Sequence, residues 1–197
     1  MSSGLTNLVD AQTQRGSGVN TRGQLSVAAS SQPQNIVEAL AGGAFLATTG
    51  AVELTSAAYS HLIYLKNNED VQWIIPVLTG TFGATNGVGD LLMQFTINPT
   101  GGTLITAGTS FNPANLNFGS SKTLGGDFII GAEGSTISGG FSANPALIPE
   151  GVSQRVFPGN PLILAPGSSM SMGIKPATGN TSMNIQIQVP IYRELVK

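Results

Sequence analysis

The chain has 197 residues, no cysteine, 26 glycines and a charged fraction of 9%, where a typical soluble protein has about 25%. A formal net charge of −2 and no basic cluster argue against nucleic acid, whose phosphates need grouped Lys and Arg. Without cysteine there are no disulfides, thiolate metal sites or Cys nucleophile, and the absence of a long apolar run or charged leader predicts neither a membrane partner nor an export signal.

This length suits one sizeable core with an appendage. So few charges leave two options for the surface. Either Ser, Thr and Asn solvate it, or a partner covers much of it.

Residues 1–50 are expected to form an N-terminal arm, extended or partly disordered in its first 32 positions, with one short helix. Its scattered apolar residues Leu5, Leu8, Val9, Leu25 and Val27 are candidate arm contacts on a neighbouring subunit, against the plainer reading of a mobile terminus. Pro33–Leu40 has a helical look, with Ile36, Val37 and Leu40 on one side and Gly42-Gly43 as a stop.

From Ala51 to the end the pattern is β. Val52 and Leu54 alternate with Glu53 and Thr55, and Leu62–Leu65 runs apolar into the polar turn Lys66–Asp70. Val71–Phe82 reads as one strand, apolar on both faces and weakened by Pro76. Gly83–Gly89 follows as a turn and Asp90–Asn98 as a strand. Further β runs are expected at Thr103–Ala107, Ala114–Phe118, Asp127–Ile130 and Leu162–Ala165.

The clearest periodicity lies near the carboxyl end. Met183, Ile185, Ile187, Val189 and Ile191 alternate with Asn184, Gln186 and Gln188, the pattern of a half-buried strand. Met170, Met172 and Ile174 alternate upstream, and residues 176–181 separate the two runs with turn chemistry, which predicts an antiparallel hairpin over Ser168–Tyr192. Eight or so strands and little helix indicate an all-β protein, an antiparallel β-sandwich or jelly roll with an extended N-terminal arm. The uncharged side of the last strand, Asn184, Gln186 and Gln188, is a candidate subunit contact.

Catalytic chemistry has little to work with. His61 is the single histidine and reads as a strand-end residue. Asn67, Asn68, Glu69 and Asp70 could offer oxygens to calcium but read as a solvated turn. Asp10, Asp90, Asp127, Glu133 and Glu150 are dispersed, and convergence in space is left open. Trp73, with Tyr64, Phe82 and Phe95, could stack on a sugar, although its strand face with Val71, Ile75 and Val77 favours burial. The Gly-rich segments Gly83–Gly89 and Gly125–Gly134 lack the context of a phosphate loop, and the sequon at Asn180 has no secretory context. No catalytic residue, cofactor or metal is expected.

Five segments carry a family resemblance: Phe95–Thr109 (FTINPTGGTLITAGT), Asn115–Leu124 (NLNFGSSKTL), Gly131–Thr136 (GAEGST), Leu164–Ser169 (LAPGSS) and Lys175–Asn184 (KPATGNTSMN). Together they resemble head decoration, or cement, proteins of tailed bacteriophages, over about residues 59–192. The resemblance implies a jelly-roll-like β-sandwich on the outer surface of a virion capsid, the major capsid protein as partner, homotrimers and no enzymatic activity. Residues 1–58 lie outside it. The alternatives are a receptor- or glycan-binding β module of a tail fibre or baseplate, and a hydrolase whose carboxylates converge on a groove.

Overall fold

The structure, a computed structural model, describes residues 8–9, 16–19, 25–26, 39–77, 79–86, 90–143, 146–148, 154–155, 161–177 and 182–194. The chain divides after Gln34 into two units. In the first, β1 (Leu8–Val9), β2 (Gly16–Val19) and β3 (Leu25–Ser26) pair antiparallel in that order. The described residues of this unit are thus extended and paired with one another. Leu8 and Val9 lie in β1 and Leu25 in β3, while Leu5 and Val27 fall outside the described residues.

In the second unit residues 39 and 40 are helical, and Gly42, at φ 71°, donates its N–H to Ala39 O. The expected glycine stop is therefore present, and residues 33–38 fall outside the described residues. There follow β4 (Ala44–Leu54), β5 (Ser60–Asn67), β6 (Trp73–Ile75), β7 (Thr79–Asn86) and β8 (Leu91–Ile97). A short helix α1 (Thr103–Ala107) precedes β9 (Thr109–Ser110), β10 (Ala114–Asn115), β11 (Gly126–Ile130) and β12 (Phe141–Ser142). The chain closes with β13 (Ala146–Ile148), β14 (Gln154–Arg155), β15 (Leu162–Leu164), β16 (Ser169–Pro176) and β17 (Ser182–Arg193).

Eight of these strands pair as nested partners: β4 with β17, β5 with β16, β7 with β14 and β8 with β13. First meets last and fourth meets fifth, as in a long hairpin. The hairpin is rolled so that β17 also pairs with β7 and β16 also pairs with β8. Two antiparallel sheets result, β4-β17-β7-β14 and β5-β16-β8-β13, the nested order of a jelly roll. β10, β6 and β15 extend the first sheet, and β9, β11 and β12 the second.

The predicted Ser168–Tyr192 hairpin does not form, because β16 and β17 sit in opposite sheets. In one layer their apolar faces would have pointed the same way. In opposite layers Met170, Met172 and Ile174 join Met183, Ile185, Ile187, Val189 and Ile191 in a shared core cluster. Each such side chain contributes about 1.5–3 kcal/mol on burial.

Other boundaries also moved. β4 begins at Ala44, so the sandwich takes in residues that the expected boundary at 51 gave to the arm. Val71–Phe82 breaks into β6 and β7 around Pro76, which cannot donate to a ladder, and the presumed turn at Gly83 continues β7 to Asn86. Thr103–Ala107 is helical rather than a strand. Gly102 precedes it at φ 116°, where a Cβ would lie 2.4 Å from Thr136 O.

Candidate functional site

Strand β17 runs through the middle of the first sheet. Its burial alternates residue by residue, so Asn184, Gln186 and Gln188 face outward, half-buried among their neighbours. Register places Asn184 opposite Glu53, Gln186 opposite Ala51, and Gln188 opposite Thr48 on one side and Thr79 on the other. Of these neighbours only Glu53 is charged, and it accepts a hydrogen bond from the Ser182 hydroxyl. Gln186 Nε2 donates to Thr48 Oγ1 at 3.2 Å, which fixes the amide's orientation. The surface is a sheet face of amides, hydroxyls and methyl groups with the Glu53 carboxylate beside Asn184.

A bulge shapes it. Thr49 and Gly50 together oppose the single residue Ile187, with Gly50 at φ 71°. Thr49 Oγ1 accepts the Ile187 N–H at 3.0 Å, replacing the carbonyl that the ladder loses there.

The helix α1 covers the part of the second sheet formed by β5 and β11. Its Leu104 is fully buried yet outside the sandwich core cluster. The same sheet carries buried polar groups, His61, Thr96 and Ser171 among them. His61, in β5, shares a 3.3 Å hydrogen bond from Nδ1 with Ser171 Oγ of β16, and Thr96 Oγ1 pairs with Ser142 Oγ at 3.0 Å. Gly173 makes room for the imidazole, since a Cβ there would sit 2.6 Å from His61 Cε1. Burial lowers the His61 pKa to about 4, so the ring is neutral at physiological pH. No carboxylate is bonded to this His–Ser pair among the described residues, and its groups are occupied in closing the layer.

Several other ionisable groups serve as ties. Glu69 accepts from Trp73 Nε1 and the Gly125 N–H, each at 2.9 Å, and pairs with Arg193. The expected solvated turn is exposed at Asn68 and Asp70 but anchored at its start: Asn67 is buried, and its Nδ2 donates to Val71 O and Leu164 O. Glu133 bridges from the loop after β11 to the β4–β5 turn, accepting from the Thr55 and Ser56 N–H groups and the Thr55 hydroxyl. The Thr55 N–H, the largest influence, holds this carboxyl below its ordinary range, aided by Ser56 and the Thr55 hydroxyl and opposed by partial desolvation. Asp127 lies 3.9 Å from Lys66. Asp10 and Glu150 fall outside the described residues, and among the described ones no three His, Cys, Asp or Glu gather as metal ligands.

Trp73 is buried and stacks on Phe128 with ring centroids 5.4 Å apart, so the packing reading prevails over sugar stacking. Sequence reasoning missed the exposed rings. Phe118, expected in a strand, stands almost fully exposed on the loop after β10, and Phe141 is exposed on β12. The Asn and Gly on either side of Phe118 were the available signal. No protein-family model matches the chain, and no curated protein matches it.

Proposed function

We propose that this chain is a non-enzymatic structural protein of a virion, a decoration protein that binds the outer surface of an icosahedral phage head and bridges neighbouring major capsid subunits. The observation carrying this reading is the outward face of the first sheet, where Asn184, Gln186 and Gln188 lie among Ala51, Thr48 and Thr79 with Glu53 as their one charged neighbour. A hydrogen-bonding surface with so little charge suits contacts that are individually weak and repeated by symmetry. Multivalent engagement of a lattice then gives strong attachment, and binding only the assembled state stabilises it by mass action.

Co-sedimentation of the purified protein with undecorated heads tests the proposal. Saturable binding near the number of capsid subunits, with increased resistance of the heads to heat, is the expected result. Binding of the isolated protein to cells or glycans, with none to heads, would favour the tail-module alternative.

A further inference from the structure

One corner of the second sheet is held more by hydrogen bonds than by apolar packing. Helix α1 and the loop 131–138 are bonded to each other: the Leu104 N–H donates to Thr136 O, the Thr136 N–H donates to the Thr103 hydroxyl, and Gly101 and Ser138 exchange backbone bonds. The loop is in turn bonded to the start of β5. There the Gly131 N–H donates to Leu62 O, the His61 N–H to Ser135 O, and the Gly134 N–H to the Ser60 hydroxyl. Glu133 fastens the same loop to Thr55 and Ser56 in the β4–β5 turn.

Apolar support is slight. Of the five residues of α1 only Leu104 is buried, and it lies outside the sandwich core cluster. Gly131 admits it to this corner, since a Cβ there would lie 2.9 Å from Leu104 Cδ1 and 2.2 Å from His61 O. A segment with few buried apolar contacts opens at a far lower free energy than a core strand. Its opening frees the His61 N–H and Leu62 O, while the members of the core cluster keep one another.

His61 makes this corner sensitive to acid. On β16, Ser171 and Gly173 face the imidazole, and Gln94 of β8 is the next partner across Gly173. The charge of β16, Lys175, lies over the Tyr59 ring at 4.7 Å. On the loop the charge is Glu133, bonded to Thr55 and Ser56, and on β11 it is Asp127, beside Lys66 of β5, while α1 has none. Tyr64 is the remaining ionisable residue of β5. Ser171 is the bonded partner of the ring among the described residues, so an added proton meets no neutralising carboxylate.

We propose that α1 and the loop 131–138 form an acid-released clasp, which opens as a unit when the His61 imidazole takes up a proton while the two sheets stay folded. With the clasp seated the ring is neutral, its pKa of about 4 lying below the ordinary 6.5 through burial. Acid therefore favours the open form between these two values and adds nothing through His61 below the lower one. Glu133 acts in the same direction at lower pH, because its carboxylate, held below its ordinary range by the Thr55 N–H first, loses these bonds as it is protonated. The clasp needs no partner and stands apart from the decoration reading.

Native-state hydrogen exchange of the full chain, wild type and His61→Gln, with and without sub-denaturing urea, is the test. At pH 7 the Leu104, Gly131 and Ser138 amides are expected to be at least about a hundredfold less protected than the Ile187 amide of β17, and to respond little to urea. Between pH 7 and pH 5 their protection should fall at least about tenfold in the wild type and stay constant in His61→Gln. His61→Asn repeats the comparison should the first variant fold poorly. Three results overturn the proposal: clasp amides that exchange only together with Ile187 at the same urea dependence, protection that does not fall by pH 5, or a fall of equal size in the His61 variants.

Discussion

Arg193 Nε lies 2.9 Å from Glu69 Oε2, joining the last residue of β17 to the turn that follows β5. The same carboxylate accepts from Trp73 and Gly125, so one largely buried group ties the first sheet to the turn leaving the second. Glu69→Ala leaves the guanidinium and the indole N–H without this acceptor. A loss of about 2–4 kcal/mol is expected, and Glu69→Gln, which keeps an acceptor oxygen, should lose less. Urea titration followed by the emission of Trp73, the single tryptophan, measures both. Equal midpoints for Glu69→Ala and wild type would show that the tie is not structural.

Acid should act through His61 first. Its folded pKa, about 4, lies below its ordinary 6.5, so the unfolded chain binds more protons between these values. Stability therefore falls as pH drops from 6.5 towards 4 and levels off below, by at most roughly 3 kcal/mol. Glu133 acts lower. Its stabilisation is present above the ordinary carboxylate pKa and is lost as pH falls through its depressed folded value. Denaturant midpoints across pH for wild type and His61→Gln separate the two, since only the upper window should flatten in the variant.

At the β4 bulge, a Cβ added at Gly50 would meet open space, but the residue stands at φ 71°. Gly50→Ala should therefore cost about 1–2 kcal/mol through backbone conformation alone. Thr49→Val removes the acceptor for the buried Ile187 N–H and should cost about 1–3 kcal/mol. Thermal melts of both variants check this. An unchanged Thr49→Val melt would mean that the Ile187 N–H finds another acceptor.

The alternation of β17 was readable because side chains in a strand have a period of two, and each of its five predicted core residues is buried. Its partners were not readable. Pairing is fixed by which layer each strand enters, and the greasy faces of Met170–Ile174 and Met183–Ile191 are equally compatible with a hairpin or with opposite sheets until the opposing surface is known. Local propensity also failed at Thr103–Ala107, where β-branched residues suggested a strand and Leu104 instead closes the outer layer of the second sheet from a helical turn. The turn at Asn67–Asp70 is solvated at Asn68 and Asp70, but the burial of Asn67 was not readable, because Asn signals solvent in sequence whereas here it satisfies carbonyls of Val71 and Leu164. The outward position of Asn184, Gln186 and Gln188 was readable. The exposed rings of Phe118 and Phe141 were not, because aromatic residues in short β-like runs ordinarily face a core.

Gln186 and Gln188 separate surface function from folding. Their side chains point away from the core, so Gln186→Glu with Gln188→Glu should leave the melting temperature within a few degrees of wild type. The same pair introduces charge into an otherwise amide-rich face and should weaken attachment to heads at least tenfold. Pull-down of variant and wild type on the same heads measures the ratio. A stable double variant that binds like wild type would return this face to solvent.

Imaging undecorated phage heads before and after addition of the purified chain addresses the central claim most directly. New ordered density is expected on the outer surface, repeated by the icosahedral lattice, with each copy presenting the Asn184–Gln188 face of its first sheet to the capsid. Heads that remain bare at saturating protein, or density confined to the tail, would contradict it.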